Sequence, residues 1–130
     1  MSQTATQNPR PSVHSRRFVK LFQSELLLLL DLDLTLVQVR VLAYLIAKGG
    51  YGNSIPGVQI VAVARKLKHD RTTVSRALKT LETMGLIRRT VDADSPTPRI
   101  DLNPWLVFKG NSYGRAAAIA DNWVRPKRAS

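Results

Sequence analysis

The chain has 130 residues, room for one domain with a real core but not for two. It contains no cysteine, which excludes disulfides and thiolate metal sites, and its two histidines, His14 and His69, have no ligand-like spacing. Its 20 Lys and Arg against 9 Asp and Glu give a net charge of +11, which favours a polyanionic partner.

The polar stretch 1–15, with Pro9 and Pro11, reads as a disordered arm without the apolar region of a signal peptide. Residues 16–30 read as a helix with Phe18, Leu21, Phe22, Glu25, Leu26 and Leu29 on one side. Leu27 and Leu28 fall off that stripe, so the helix is apolar nearly all round and asks for a second neighbour, such as another subunit. The leucine run 26–30, closed by Asp31 and Asp33, is too short to span a bilayer, and a cytoplasmic protein is expected.

Asp33 or Thr35 can cap the next helix, 36–48, where Val39, Leu42, Ala43 and Ile46 share a face. The run 49–54 has turn chemistry, and Pro56–Gly57 leads into 58–67, with Ile60, Val61, Ala64 and Leu67 as its stripe. A three-residue break, 68–70, follows. Asp70 is a good N-cap for a helix over 71–84 that turns Val74, Ala77, Leu78 and Leu81 inward. Gly85 stands where a left-handed residue ends a helix. Strand-like runs at 86–91 and 99–102, around a loop rich in Asp, Ser and Pro, make a β-hairpin. Residues 105–108 are apolar, and Trp105, Leu106, Val107 and Phe108 suit a core or an interface. A last helix spans 113–123, with Ala116, Ala117, Ala120 and Trp123 on one side, and 125–130 is a basic tail.

These elements assemble into a fold that is mainly α with a small β-hairpin wing: a winged helix–turn–helix over 16–124 with extra N- and C-terminal helices. The helix–turn–helix is 58–84, the wing 86–102 and the C-terminal helix 113–123. Eight of the basic residues crowd into 61–90 against Asp70 and Glu82, so charge and motif coincide. Double-stranded DNA is therefore the expected partner.

The second helix of the motif would enter the major groove. Opposite its apolar face lie Arg71, Thr72, Ser75 and Arg76, the expected base contacts. Each arginine fork can donate to guanine O6 and N7, and a Thr methyl can pack on a thymine methyl. Arg65, Lys66, Lys68, Thr73 and Lys79 are expected on phosphates, with Arg88, Arg89 and Arg99 gripping from the base of the wing. The wing tip, with Asp92 and Asp94, is expected to stay off the DNA. Lys68 stands where many such turns have glycine, so it faces a positive φ at a cost of roughly 1 kcal/mol; His69 is expected to pack in the turn. No nucleophile–base pair, phosphate loop or metal spacing occurs, so neither an enzyme nor a cofactor is expected.

The segment DLNPWLVFKG, with Asn103, Pro104, Phe108, Lys109 and Gly110, resembles the plasmid replication protein L family, as do VLAYLIAKG and RTTVSRALKTLETMGLIRR upstream. The likeness covers roughly residues 34–110. It implies a DNA-binding protein of a plasmid or phage acting in replication initiation or its control. The helix–turn–helix part is also similar to bacterial regulators, including the multiple-antibiotic-resistance type. This keeps open a dimeric repressor on an inverted-repeat operator. A protein-interaction adaptor is the third reading. A homodimer is expected through the 16–30 and 113–123 helices.

Overall fold

The computed structural model describes residues 18–91, 93 and 97–126, with only the backbone of Tyr51. The expected arm 1–15 and the acidic wing tip at Asp92 and Asp94 lie outside the described residues. The elements run in the order β1 (Lys20–Leu21), α1 (Gln23–Asp31), α2 (Leu36–Lys48), a single 3-10 turn (Tyr51–Asn53) and β2 (Ser54–Ile55). Then come α3 (Ile60–Leu67), α4 (Arg71–Thr83), β3 (Ile87–Thr90), β4 (Arg99–Leu102), β5 (Val107–Phe108) and α5 (Ser112–Ala120). This is a mainly helical winged helix, as the periodicities indicate.

The wing is a three-stranded antiparallel sheet in the order β2-β4-β3. Ile87 lies opposite Leu102 and Thr90 opposite Arg99, while Ile55 lies opposite Ile100 on the other edge. Alternation places Ile100 and Leu102 inward and leaves Arg99 and Asp101 half-buried. The strand β2 was hidden in the sequence because two residues flanked by turns carry no period.

The core is built by α2, α3 and α4 against this sheet. Val41, Leu42 and Leu45 meet Val63, Ala64 and Leu67, then Val74, Ala77, Leu78 and Leu81. Two faces differ from expectation. On α2, Val39 and Ala43 are exposed, while Val41 and Leu45 are buried. On α3, Val61 is exposed and Val63 buried. Both helices carry apolar residues at adjacent positions, so several phases fit the pattern and tertiary packing chooses among them. The α2 start is a full capping box: Thr35 Oγ1 accepts from Gln38 N, and Gln38 Oε1 accepts from Thr35 N.

The N-terminal helix is shorter than 16–30. Residues 20–21 are extended and pair with β5, Lys20 opposite Phe108 and Leu21 opposite Val107. Phe22 N then donates to the Leu106 carbonyl at 3.1 Å, and the helix begins at Gln23. Pairing with the buried segment 106–108 outweighs the local helical period. The C-terminal helix is also shorter, ending at Ala120 rather than Trp123.

The tail after α5 is tied down as far as it is described. Arg125 forms an ion pair with the buried carboxylate of Glu25 at 2.5 Å. Burial pushes the Glu25 carboxyl up, but hydrogen bonds from Ser24 and Arg125 outweigh this and hold it below the usual range. Asn103, fully buried, donates Nδ2 to the carbonyls of Gly85 and Val124 at 2.8 and 2.9 Å and accepts from Trp105 N at 2.9 Å. It joins the end of α4, the turn after β4 and the C-terminal segment.

Candidate nucleic-acid interface

The turn between α3 and α4 is tight because Lys68 adopts the left-handed conformation, φ 60° and ψ 44°. His69 N donates to the Ala64 carbonyl at 3.0 Å, folding the chain back toward α4. Asp70 then caps α4: its Oδ1 accepts from Thr73 N at 2.7 Å. Hydrogen bonding from Thr73 holds the Asp70 carboxyl below the usual range, and the positive charge of Arg76 acts in the same direction. Gly85, at φ 79°, ends the segment in the left-handed position expected of it.

With Val74, Ala77, Leu78 and Leu81 buried, α4 turns Arg71, Thr72, Arg76 and Lys79 to solvent and leaves Ser75 half-exposed. Arg71, Thr72, Ser75 and Arg76 form one wall of an open cleft of about 530 Å³. The opposing surface comes from Val58–Val61 at the start of α3 and from Thr97 and Pro98 on the returning side of the wing. Val58 N donates to the Pro98 carbonyl at 3.1 Å, which locks wing and motif together. The four residues expected to read bases thus stand together on one concave face.

They form no ion pair among the described residues. Among the described residues, the guanidinium groups of Arg71 and Arg76 meet no carboxylate and no carbonyl; nor do Arg65 or the ammonium groups of Lys66, Lys68 and Lys79 meet one. Arg65, Lys66 and Lys68 are exposed along the last turn of α3 and the turn after it. Thr73 is half-buried and its N–H is used by the Asp70 cap.

The three wing arginines stand differently. Arg88 stacks on the Trp123 ring at 3.9 Å and donates to the carbonyls of Asp121 and Asn122. Arg89 donates Nε and Nη2 to Glu82 Oε1 at 3.1 and 2.9 Å. Arg99 Nη2 lies 3.3 Å from Asp101 Oδ2. Each is half-buried and already partnered, so a phosphate would have to compete with a protein group. Sequence reasoning saw their charge but not these partners: Trp123 and Glu82 come from other elements, and Asp101 from the same face of the strand that carries Arg99.

One basic residue near the motif escaped sequence reasoning. Arg40, on the exposed side of α2, donates Nη1 to His69 Nε2 at 3.1 Å. They are 29 positions apart, and no local signal links them.

No metal-binding group of three or more His, Cys, Asp or Glu occurs among the described residues. No helix among them is long and apolar enough to cross a membrane.

No curated protein matches the chain. Among solved structures, a Staphylococcus aureus MepR mutant bound to an oligodeoxyribonucleotide is 29% identical with a TM-score of 0.48, over 75% of this chain and 64% of that one. A second S. aureus MepR–DNA complex is 28% identical with a TM-score of 0.46, over 75% of this chain and 69% of that one. A MarR family transcriptional regulator from Silicibacter pomeroyi is 28% identical with a TM-score of 0.44, over 75% and 56%. The chain therefore spans under two thirds of the first of these relatives. Residues 32–95, just under half of the chain, match the MarR family, so the part that carries α3, α4 and the first strand of the hairpin is the part similar to that family.

Proposed function

We propose that the chain is a sequence-specific double-stranded DNA reader that regulates transcription by occupying its site. The observation that carries this is the cleft wall of Arg71, Thr72, Ser75 and Arg76. Two forked donors and two hydroxyls share one face at the N-terminal end of a capped helix, and neither arginine forms an ion pair among the described residues. That set can donate to guanine and bond either strand's base edges. Arg65, Lys66, Lys68 and Lys79 add phosphate contacts around it. The match of residues 32–95 to the MarR family supports regulation over replication. The more specific part of the likeness to the replication family, Asn103–Gly110, lies beyond the matched residues. Asn103 and Phe108 are buried, where they serve the fold.

The regulator acts as a homodimer in this reading, through α1 and α5. Leu27 and Leu30 of α1 are 64% and 79% exposed, Tyr113 of α5 is 88% exposed, and α5 buries none of its residues. Two copies would present α4 helices to successive major grooves, so the site is an inverted repeat.

Deleting the gene separates the two biological roles. Raised transcription of a neighbouring gene supports the regulator, whereas loss of replicon propagation supports the replication protein. A DNA affinity that does not respond to salt would contradict both and favour a protein-binding adaptor.

A further inference from the structure

We propose that Arg40, held by His69, is a further contact to the DNA backbone: a phosphate grip beyond the N-terminus of the recognition helix, outside the cleft. The proposal rests on the DNA-reading function and adds a residue from α2 to it.

The partners of the arginines carry the argument. Arg89, Arg99 and Arg125 each pair with a carboxylate. Arg88 and Arg115 are spent on backbone carbonyls and on the aromatic rings of Trp123 and Phe22. Arg40 is different. Among the described residues its partner is an imidazole nitrogen, and it meets no acid. An imidazole that accepts a hydrogen bond through Nε2 orients the guanidinium without neutralising it. Asp70, next to His69 in sequence, accepts the Thr73 N–H through Oδ1 and makes no ion pair with Arg40.

The location matters as much as the charge. His69 immediately precedes the N-cap of α4, and Lys68 precedes His69 in the strained left-handed turn. The contact to His69 brings a guanidinium from α2 to the end of the recognition helix where the peptide dipoles favour a phosphate. Through His69, Arg40 stands beside the start of α4, and its planar fork keeps donors free for phosphate oxygens. Arg40 and His69 are absent from the cleft lining, so this contact is separate from base reading. It should strengthen binding to all sequences alike.

A purely structural tie between α2 and the turn makes a different prediction, because it depends on the hydrogen bond and not on the charge. Affinity for a mixed-sequence duplex of about 30 base pairs, roughly three helical turns, would be measured across a salt series. Arg40→Gln keeps a donor for His69 and removes the charge. It should bind about tenfold more weakly, with the slope of log K against log salt shallower by about one. Arg40→Lys should restore the slope, and His69→Gln should bind better than His69→Ala because it can still orient Arg40. Thermal melting of each variant shows that it is folded. A steep wild-type slope left unchanged in Arg40→Gln and Arg40→Ala would overturn this proposal alone. A flat wild-type response would overturn the DNA-reading function as well.

Discussion

Replacing Lys68 with glycine should stabilise the fold while weakening its hold on DNA. Lys68 sits at φ 60° and ψ 44°, where a Cβ crowds the following carbonyl at a cost of roughly 1–2 kcal/mol. Glycine removes that cost but adds freedom to the unfolded chain, which takes back about 0.5–1 kcal/mol. The net gain is on the order of 0.5–1 kcal/mol, or roughly 2–5 °C in midpoint for a domain of this size. Lys68→Ala is the control: it removes the same charge and keeps the Cβ. Urea unfolding should give Lys68→Gly a higher midpoint than Lys68→Ala with an unchanged slope. Both variants should lose one phosphate contact and show the same shallower salt dependence of DNA binding. If Lys68→Gly is no more stable than Lys68→Ala, the turn is not strained and the reasoning fails.

Other expectations follow from buried groups. Asn103→Ala leaves two carbonyls and one N–H without their partner and should cost about 3 kcal/mol, read by urea unfolding. Gly110→Ala should cost about 2 kcal/mol in the same assay, because the new Cβ would lie 2.4 Å from a ring carbon of buried Phe108 at φ +154°. The lowered Glu25 carboxyl binds its proton less readily in the folded state, so its contribution is present at neutral pH and lost as pH falls through the carboxylate range. Glu25→Gln should therefore be less stable near neutrality and show a flatter stability–pH curve on the acid side.

The parts that could be read from sequence are those fixed by local chemistry. The α4 helix has a capping aspartate, a terminating glycine and a single apolar stripe, and all three agree with the fold. The site that depends on its outward face, Arg71, Thr72, Ser75 and Arg76, followed from that phase. The Lys68 conformation followed from its place at the turn site where such motifs often carry glycine. Long-range pairing was not readable in the same way. Helical periodicity ran through residues 18–22, yet the pairing of β1 with β5 drew Lys20 and Leu21 into a strand, and the helix starts only at Gln23. The apolar surround of α2 admitted more than one face. Arg88, Arg89 and Arg99 looked like free charge because Trp123, Glu82 and Asp101 meet them only after folding. The Arg40–His69 contact and the Glu25–Arg125 pair join residues 29 and 100 positions apart, and no spacing rule reaches that far.

The central claim is that the outward face of α4 reads base sequence. Selection of bound sites from a randomised duplex library, with the wild type and with Arg71→Ala and Arg76→Ala, tests it most directly. The wild type should enrich an inverted repeat with guanine at defined half-site positions, and each variant should lose preference at its own position, at roughly 1–3 kcal/mol of discrimination. Recovery of the same sequence with the same preference by both variants would contradict the account.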